Sequence, residues 1–168
     1  MLPRPLAHLH RGAEGVAAVL LAVIFVAFIA QIVMRYVFNW PVGWTTELSL
    51  TAWLWLVLWG AAVVLRDDEE IRLDLIVNRV GPTTRRVLVG LGALLVGVLF
   101  AISLKASWEY IAFMKVEKSS YLKIRMDIVY SIYMLFALAV VGRSAVVLVR
   151  AVRGTLPEPQ TEKAASAL

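Results

Sequence analysis

The groups in this chain that could do chemistry are few, and most sit where apolar runs end. The stretch MRYVFNWPVGWTTELSL, Met34 to Leu50, places Arg35 and Glu47 together with Trp40 and Trp44 between two such runs. An arginine and a carboxylate on either side of a short connection can pair at the water boundary, where desolvation costs less than in the hydrocarbon. The pairing expected from this spacing is Arg35 with Glu47, fixing two helix ends against each other while the indoles set their depth. The plain alternative is two separately solvated charges, since exposed pairs contribute little.

Other candidate groups are weaker. His8 and His10 have the H-x-H spacing of a metal pair, but with no carboxylate or third ligand nearby they read as solvated. Lys105 and Glu109 are i, i+4 neighbours that can either pair or each reach the interface. The chain has no cysteine, which excludes disulfides, thiol relays and thiolate metal sites. No histidine lies within an apolar run, so axial haem ligation has no candidate. No nucleotide-binding glycine loop or Ser/His/Asp arrangement occurs, and the reading expects neither an enzyme nor a cofactor.

The elements that must position these groups are membrane spans. Of 168 residues 61% are hydrophobic, which belongs in a bilayer. The apolar runs are Val16 to Val33, Leu48 to Leu65, Val87 to Leu104, and Ile128 to Val149 with Arg143 inside it. Each is close to the ~20 residues that cross a hydrocarbon core. The expected fold is all-α, four transmembrane helices over about 14–36, 45–65, 87–109 and 128–149. The first run is too long for a signal core, and FIAQIVMRY offers no small-residue cleavage site, so it is expected to stay as a helix. Arg143 would snorkel to the nearer interface or face the bundle interior.

Between the second and third runs, Leu73, Ile76, Val77 and Val80 follow helical spacing and Gly81-Pro82 ends the segment, which predicts a short amphipathic helix on the membrane surface, the alternative being a solvated loop tied to the neighbouring helix ends. Residues 1–153 form the membrane domain in this reading, and the polar, proline-interrupted 154–168 a disordered cytoplasmic tail. Ten basic residues fall on the side of the termini against five on the other, which puts both termini in the cytoplasm. Tyr36, Trp40, Trp44, Trp108, Tyr110, Tyr121, Tyr130 and Tyr133 gather at or near the opposite ends as an aromatic belt. The +5 charge is dispersed between apolar runs, so no nucleic-acid partner is expected.

The spans offer surfaces for packing. Ala93, Gly97 and Ala101 line one face of the third helix at four-residue spacing, which permits close approach of another helix, from this bundle or from a partner. Trp55 and Trp59 share a face of the second helix at a depth where belt residues are not expected, and read as packing surface.

Arg35 to Ile76 resembles the signature region of the small, DctQ-type membrane subunit of TRAP (tripartite ATP-independent periplasmic) transporters. Arg35, Tyr36, Phe38 and Asn39 match an R-Y-V-F-N segment at the end of the first helix, and Trp44 and Glu47 a W-x-E-E-like segment opening the second. Gly60, Ala61 and Ala62 match a G-A-A late in that helix, and Ile71, Asp74 and Leu75 an H-I-x-V-D-L segment after it. Thr46 stands where the family often has a first acid, and Glu70 where it often has histidine.

The resemblance implies a sodium-coupled importer of organic acids in the bacterial inner membrane. A periplasmic binding protein would deliver the substrate, docking transiently, and a large membrane subunit would hold the transport sites in a stable hetero-complex. This chain would be the stationary framework. Lys115, Lys118, Lys123 and Arg125 form a basic patch suited to an acidic surface on the binding protein. An autonomous proton-coupled exporter would need Glu14 deeper in its helix, and a redox-complex anchor would need an intramembrane ligand.

Overall fold

A computed structural model describes residues 4–40, 42–64 and 81–155, excepting the side chains of 4–10 and of Pro82. Helix α1 runs Arg4–Tyr36, α2 Gly43–Trp59, α3 Pro82–Phe113 and α4 Met126–Arg153. A π-helical turn, Gly60–Val64, prolongs α2. Among the described residues four helices are long and apolar enough to cross a membrane: Arg11–Tyr36, Gly43–Val64, Thr83–Phe113 and Met126–Arg153. Among the described residues there is no strand, only an isolated bridge between Lys118 and Arg125. The predicted surface helix, with Asp74, and all of the predicted tail after Thr155 lie outside the described residues.

The helices reach beyond the apolar runs because their ends carry residues suited to helix termini. Pro82 opens α3, where its missing N–H is not needed. Gly154 closes α4 in the left-handed conformation (φ 72°), and the Thr155 N–H donates back to the Arg150 carbonyl at 3.0 Å. The Arg86 side chain from the first turns of α3 lies over that glycine, against the negative end of the α4 dipole. A β-carbon at Gly154 would collide with it.

Packing is in two antiparallel pairs, α1 with α2 and α3 with α4, joined through α2 against α4. The contact order is therefore α1–α2–α4–α3, with α1 and α3 at the two extremes. Among the described residues, six of the nine buried hydrophobic ones are alanine, so backbones approach closely at the crossings. An ideal β-carbon at Gly97 would lie 3.1 Å from Ser144 Cβ, and one at Gly90 3.4 Å from Ala151, which makes these two glycines the seam between α3 and α4. Rings fill the rest of it: Phe100 meets Phe136 edge-on at 5.9 Å, and Tyr110 meets Tyr130 at 6.2 Å.

The connections 37–42 and 114–125 share one end of the bundle, called here the Tyr121 end, because Glu47 near the start of α2 bonds to the second connection. Ala13, Trp59, Arg86 and Gly154 mark the other.

Candidate functional site: the polar end and the intramembrane ties

At the Tyr121 end the backbone is shaped by two residues with positive φ, Asn39 at 51° and Lys123 at 54°. Asn39 turns the chain after α1, and the Trp40 N–H donates to the Met34 carbonyl at 3.0 Å. Lys123 turns the α3–α4 connection, where the Ser119 N–H donates to Ile124 O at 2.9 Å and the Met126 N–H to Glu117 O at 3.0 Å. The half-closed loop leaves the N–H groups of Tyr121 and Leu122 pointing outward. Glu47 Oε2 accepts both, at 2.9 and 2.8 Å. Ser119, buried under the loop, accepts the Ile124 N–H on its Oγ at 3.1 Å.

Gly43, one turn before Glu47 on the same face of α2, receives the Tyr121 ring. A β-carbon there would overlap the ring carbons. One helix face thus holds the loop twice, by a carboxylate on its amides and by a bare backbone under its ring.

This arrangement differs from the expected pair. Among the described residues no ion pair joins Arg35 to Glu47; the carboxylate is oriented by loop amides, which supply two directional donors without ordering a second long side chain. Arg35 lines a polar cleft of about 400 Å³ with Gln31, Asn39, Trp40, Thr46 and Tyr121. Gln31, the polar interruption of the first run, donates from Nε2 to Thr46 Oγ1 at 3.2 Å and so ties α1 to α2. Arg125 pairs in a fork with Asp127 (3.1 and 2.7 Å), whose carboxylate hydrogen-bonds it and holds the guanidinium in its charged form. Its charge is thereby answered locally. Lys115, Lys118 and Lys123 remain exposed around it. Lys105 and Glu109 make no ion pair among the described residues.

Deeper in the bundle, α2 is the element that binds its neighbours. Trp55 Nε1 donates to the Val129 carbonyl of α4 at 3.1 Å, and Trp59 Nε1 to the Ala13 carbonyl of α1 at 3.0 Å. The two rings on one face therefore tie α2 to both of its flanking helices. Arg143 Nη2 donates to the Ala62 carbonyl at 2.7 Å. Ala62 lies in the π turn, where i→i+5 bonding replaces the regular ladder. Of the two readings of Arg143, the structure selects the bundle interior. Gly60 begins this turn, and its N–H donates to Leu56 O and Val57 O.

Trp44 borders an apolar groove between α1 and α2 with Val23, Ala27 and Leu48. Ala93 and Gly97 line the shallow α3–α4 seam, while Ala101 is exposed. Tyr36 is exposed at the end of α1. Among the described residues no group of three His, Asp or Glu side chains could hold a metal.

Residues 24–154 match the sequence profile of the family described as tripartite ATP-independent periplasmic transporters, DctQ component. The chain belongs to the DctQ family. Two relatives agree with this. A Haemophilus influenzae protein provisionally named TRAP transporter small permease protein is 24% identical over 106 residues, covering 62% of this chain and 66% of that one. The C4-dicarboxylate TRAP transporter small permease protein DctQ of Vibrio cholerae is 33% identical over 82 residues, covering 48% of this chain and 35% of that one. The chain thus matches just under two thirds of the first relative's length and about a third of the second's. Within this DctQ chain, the matched segment contains every tie described above except Ala13, at the Trp59 end.

The roles of Gly43 and Tyr121 are not visible in the sequence. Glycine in PVGW looks like connection, and tyrosine near a span end looks like interfacial belt. Only their contact shows otherwise.

Proposed function

We propose that this chain is the small permease subunit of a TRAP transporter in the bacterial inner membrane, a non-catalytic scaffold for a large permease subunit. The transporter would be sodium-coupled and import organic acids, carboxylates in particular, delivered by a periplasmic binding protein. The observation that carries the reading is the family match over residues 24–154, which includes all of α2, α3 and α4 and the last 13 of the 33 residues of α1.

The architecture supports the scaffold role. Three polar side chains within the spans hold helices together: Trp55 on α4, Trp59 on α1 and Arg143 on the π turn. The small-residue stripe is partly occupied, Gly97 by Ser144, while Ala101 stays open to a partner. Extended α1–α2–α4–α3 contact leaves long apolar faces uncovered within the chain, such as Phe25, Val26 and Phe28 on α1 and Leu95, Leu99 and Ile102 on α3. A fixed block with broad apolar sides is suited to a larger membrane protein moving against it. The Tyr121 end then faces the periplasm, with the exposed lysines of 114–125 toward the binding protein.

The test is reconstitution. The chain alone in liposomes is expected to transport nothing, whereas the chain with its cognate large permease and binding protein takes up a carboxylate under a sodium gradient. Sodium-driven uptake by the chain alone would refute the scaffold reading, and failure of the two membrane subunits to co-purify would refute the complex.

A further inference from the structure

We infer that the cleft around Arg35 is a binding site for a phospholipid headgroup, an anionic phosphodiester carrying hydroxyl groups, of the phosphatidylglycerol type. The first observation is an exposed guanidinium without a protein partner among the described residues. Arginine is always protonated, and among the described residues no hydrogen bond or ion pair engages the Arg35 side chain. Its nearest candidate partner along the chain, Glu47, gives Oε2 to the Tyr121 and Leu122 amides. A basic residue in the last turn of α1 is what the helix dipole favours, but that explains neither the cleft nor its lining.

The lining is the second observation. Arg35, Asn39, Trp40 and Tyr121 bring a guanidinium, an amide, an indole and a phenol, and among the described residues no carboxylate lines the cleft. Such a wall takes an anion. A phosphodiester fits a guanidinium fork best, and the absence of an acidic wall leaves an ethanolamine ammonium unpartnered while hydroxyls can bond to Asn39, Thr46 or Tyr121. At about 400 Å³ the cleft lies in the range of small-molecule sites and exceeds what one carboxylate side chain fills.

Position is the third. The cleft sits at the end of two helices long and apolar enough to span, which puts it near the headgroups when they cross a bilayer. The helical stripes that carry Arg35 and Thr46 continue toward mid-membrane as Phe28 on α1 and Leu50 and Trp53 on α2, exposed at 56, 63 and 57%. Acyl chains would lie on that apolar strip below the headgroup.

The test is lipid titration of the purified full chain, followed by native mass spectrometry, with phosphatidylglycerol, phosphatidylethanolamine and soluble glycerol 3-phosphate as separate arms. Phosphatidylglycerol is expected to bind about tenfold more tightly than phosphatidylethanolamine. Arg35→Gln should erase that preference, and Arg35→Lys should keep part of it. Asn39→Gly, which preserves the left-handed turn and deletes the amide, should weaken it less than Arg35→Gln. Unchanged melting of each variant shows that folding is intact. Equal binding of the two lipids, or an Arg35→Gln chain that keeps the preference, overturns the assignment. Glycerol 3-phosphate binding as tightly as the lipid would give the cleft to a soluble phosphate ester instead. Loss of the lipid on assembly with the large permease, together with weaker assembly of Arg35→Gln, would give it to an acidic side chain of that partner, and either result overturns the lipid proposal.

Discussion

Glu47 and Tyr121 stand 74 positions apart and are joined by a 2.9 Å hydrogen bond from the Tyr121 amide to Glu47 Oε2, with the Leu122 amide on the same oxygen at 2.8 Å. This contact is what fastens the connection between α3 and α4 to the start of α2. Since the donors are backbone groups, the side chains of Tyr121 and Leu122 can change without breaking it, whereas Glu47 cannot. In Glu47→Ala the two amides lose their acceptor, and their hydrogen exchange is expected to accelerate by at least roughly tenfold. Glu47→Gln, which keeps an acceptor oxygen without the charge, should fall between. Exchange at both amides that is unaltered in Glu47→Ala would show that the loop holds its shape without α2.

The bare backbone at Gly43 is the second half of this attachment. Gly43→Ala pushes a methyl into the Tyr121 ring, and overpacking of that kind costs about 1 to 3 kcal/mol. Tyr121→Ala alone loses the ring contact. The double variant has no clash left to relieve, so its loss of stability should be smaller than the sum of the two single losses. Thermal melting of the four proteins in one detergent measures the difference, and strict additivity would mean that the ring and the glycine do not touch.

How far the sequence reveals this molecule depends on what each feature is made of. The four spans are legible because a long apolar run has few alternatives to a membrane helix, and the membrane fold follows. The depth of Arg143 is legible for the same reason. Its acceptor is not, because a carbonyl in a π turn has no residue type of its own; GAAVV reads as ordinary helix. Arg35 and Glu47 are close in sequence and opposite in charge, which makes pairing the natural expectation. The competing donors are amides of a distant loop shaped by a left-handed Lys123, a conformation that lysine does not advertise. Trp55 and Trp59 stand out by depth alone; their N–H partners depend on which helices flank α2, an order that the sequence leaves open.

Those two tryptophans yield a separable prediction. Trp55→Phe and Trp59→Phe each keep an aromatic body and delete one N–H donor, to α4 and α1 respectively. Each should lose about 0.5 to 1.5 kcal/mol. As the partners lie on different helices, the two losses should nearly add. Disulfide trapping gives a finer readout: Trp59→Phe should loosen α1 against α2 and leave α2 against α4 unchanged, and Trp55→Phe the reverse. Equal loosening of both contacts by either variant would mean that the rings act as bulk filler and not as directed donors.

Arg143 presents the sharpest energetic contrast, because it is a charged side chain along an apolar helix whose guanidinium donates to Ala62 O at 2.7 Å. If the bond were incidental and the side chain only snorkelled, Arg143→Leu would suit the bilayer better and raise stability. If the bond holds α4 to the π turn, Arg143→Leu strips a donor from a carbonyl on a buried residue and costs about 1 to 3 kcal/mol. Arg143→Lys separates charge from geometry: an ammonium keeps the charge but lacks the planar fork, so partial retention is expected. Replacing the π turn's own residues tests the other partner. Ala62→Leu adds bulk at a buried position against α1 and α4. It should destabilise the natural chain and the Arg143→Leu variant by different amounts, since only the natural chain has a bond there to displace. A stability order of Arg143→Leu above the natural chain in thermal melts would dismiss the tie and leave the π turn without a role in holding α4.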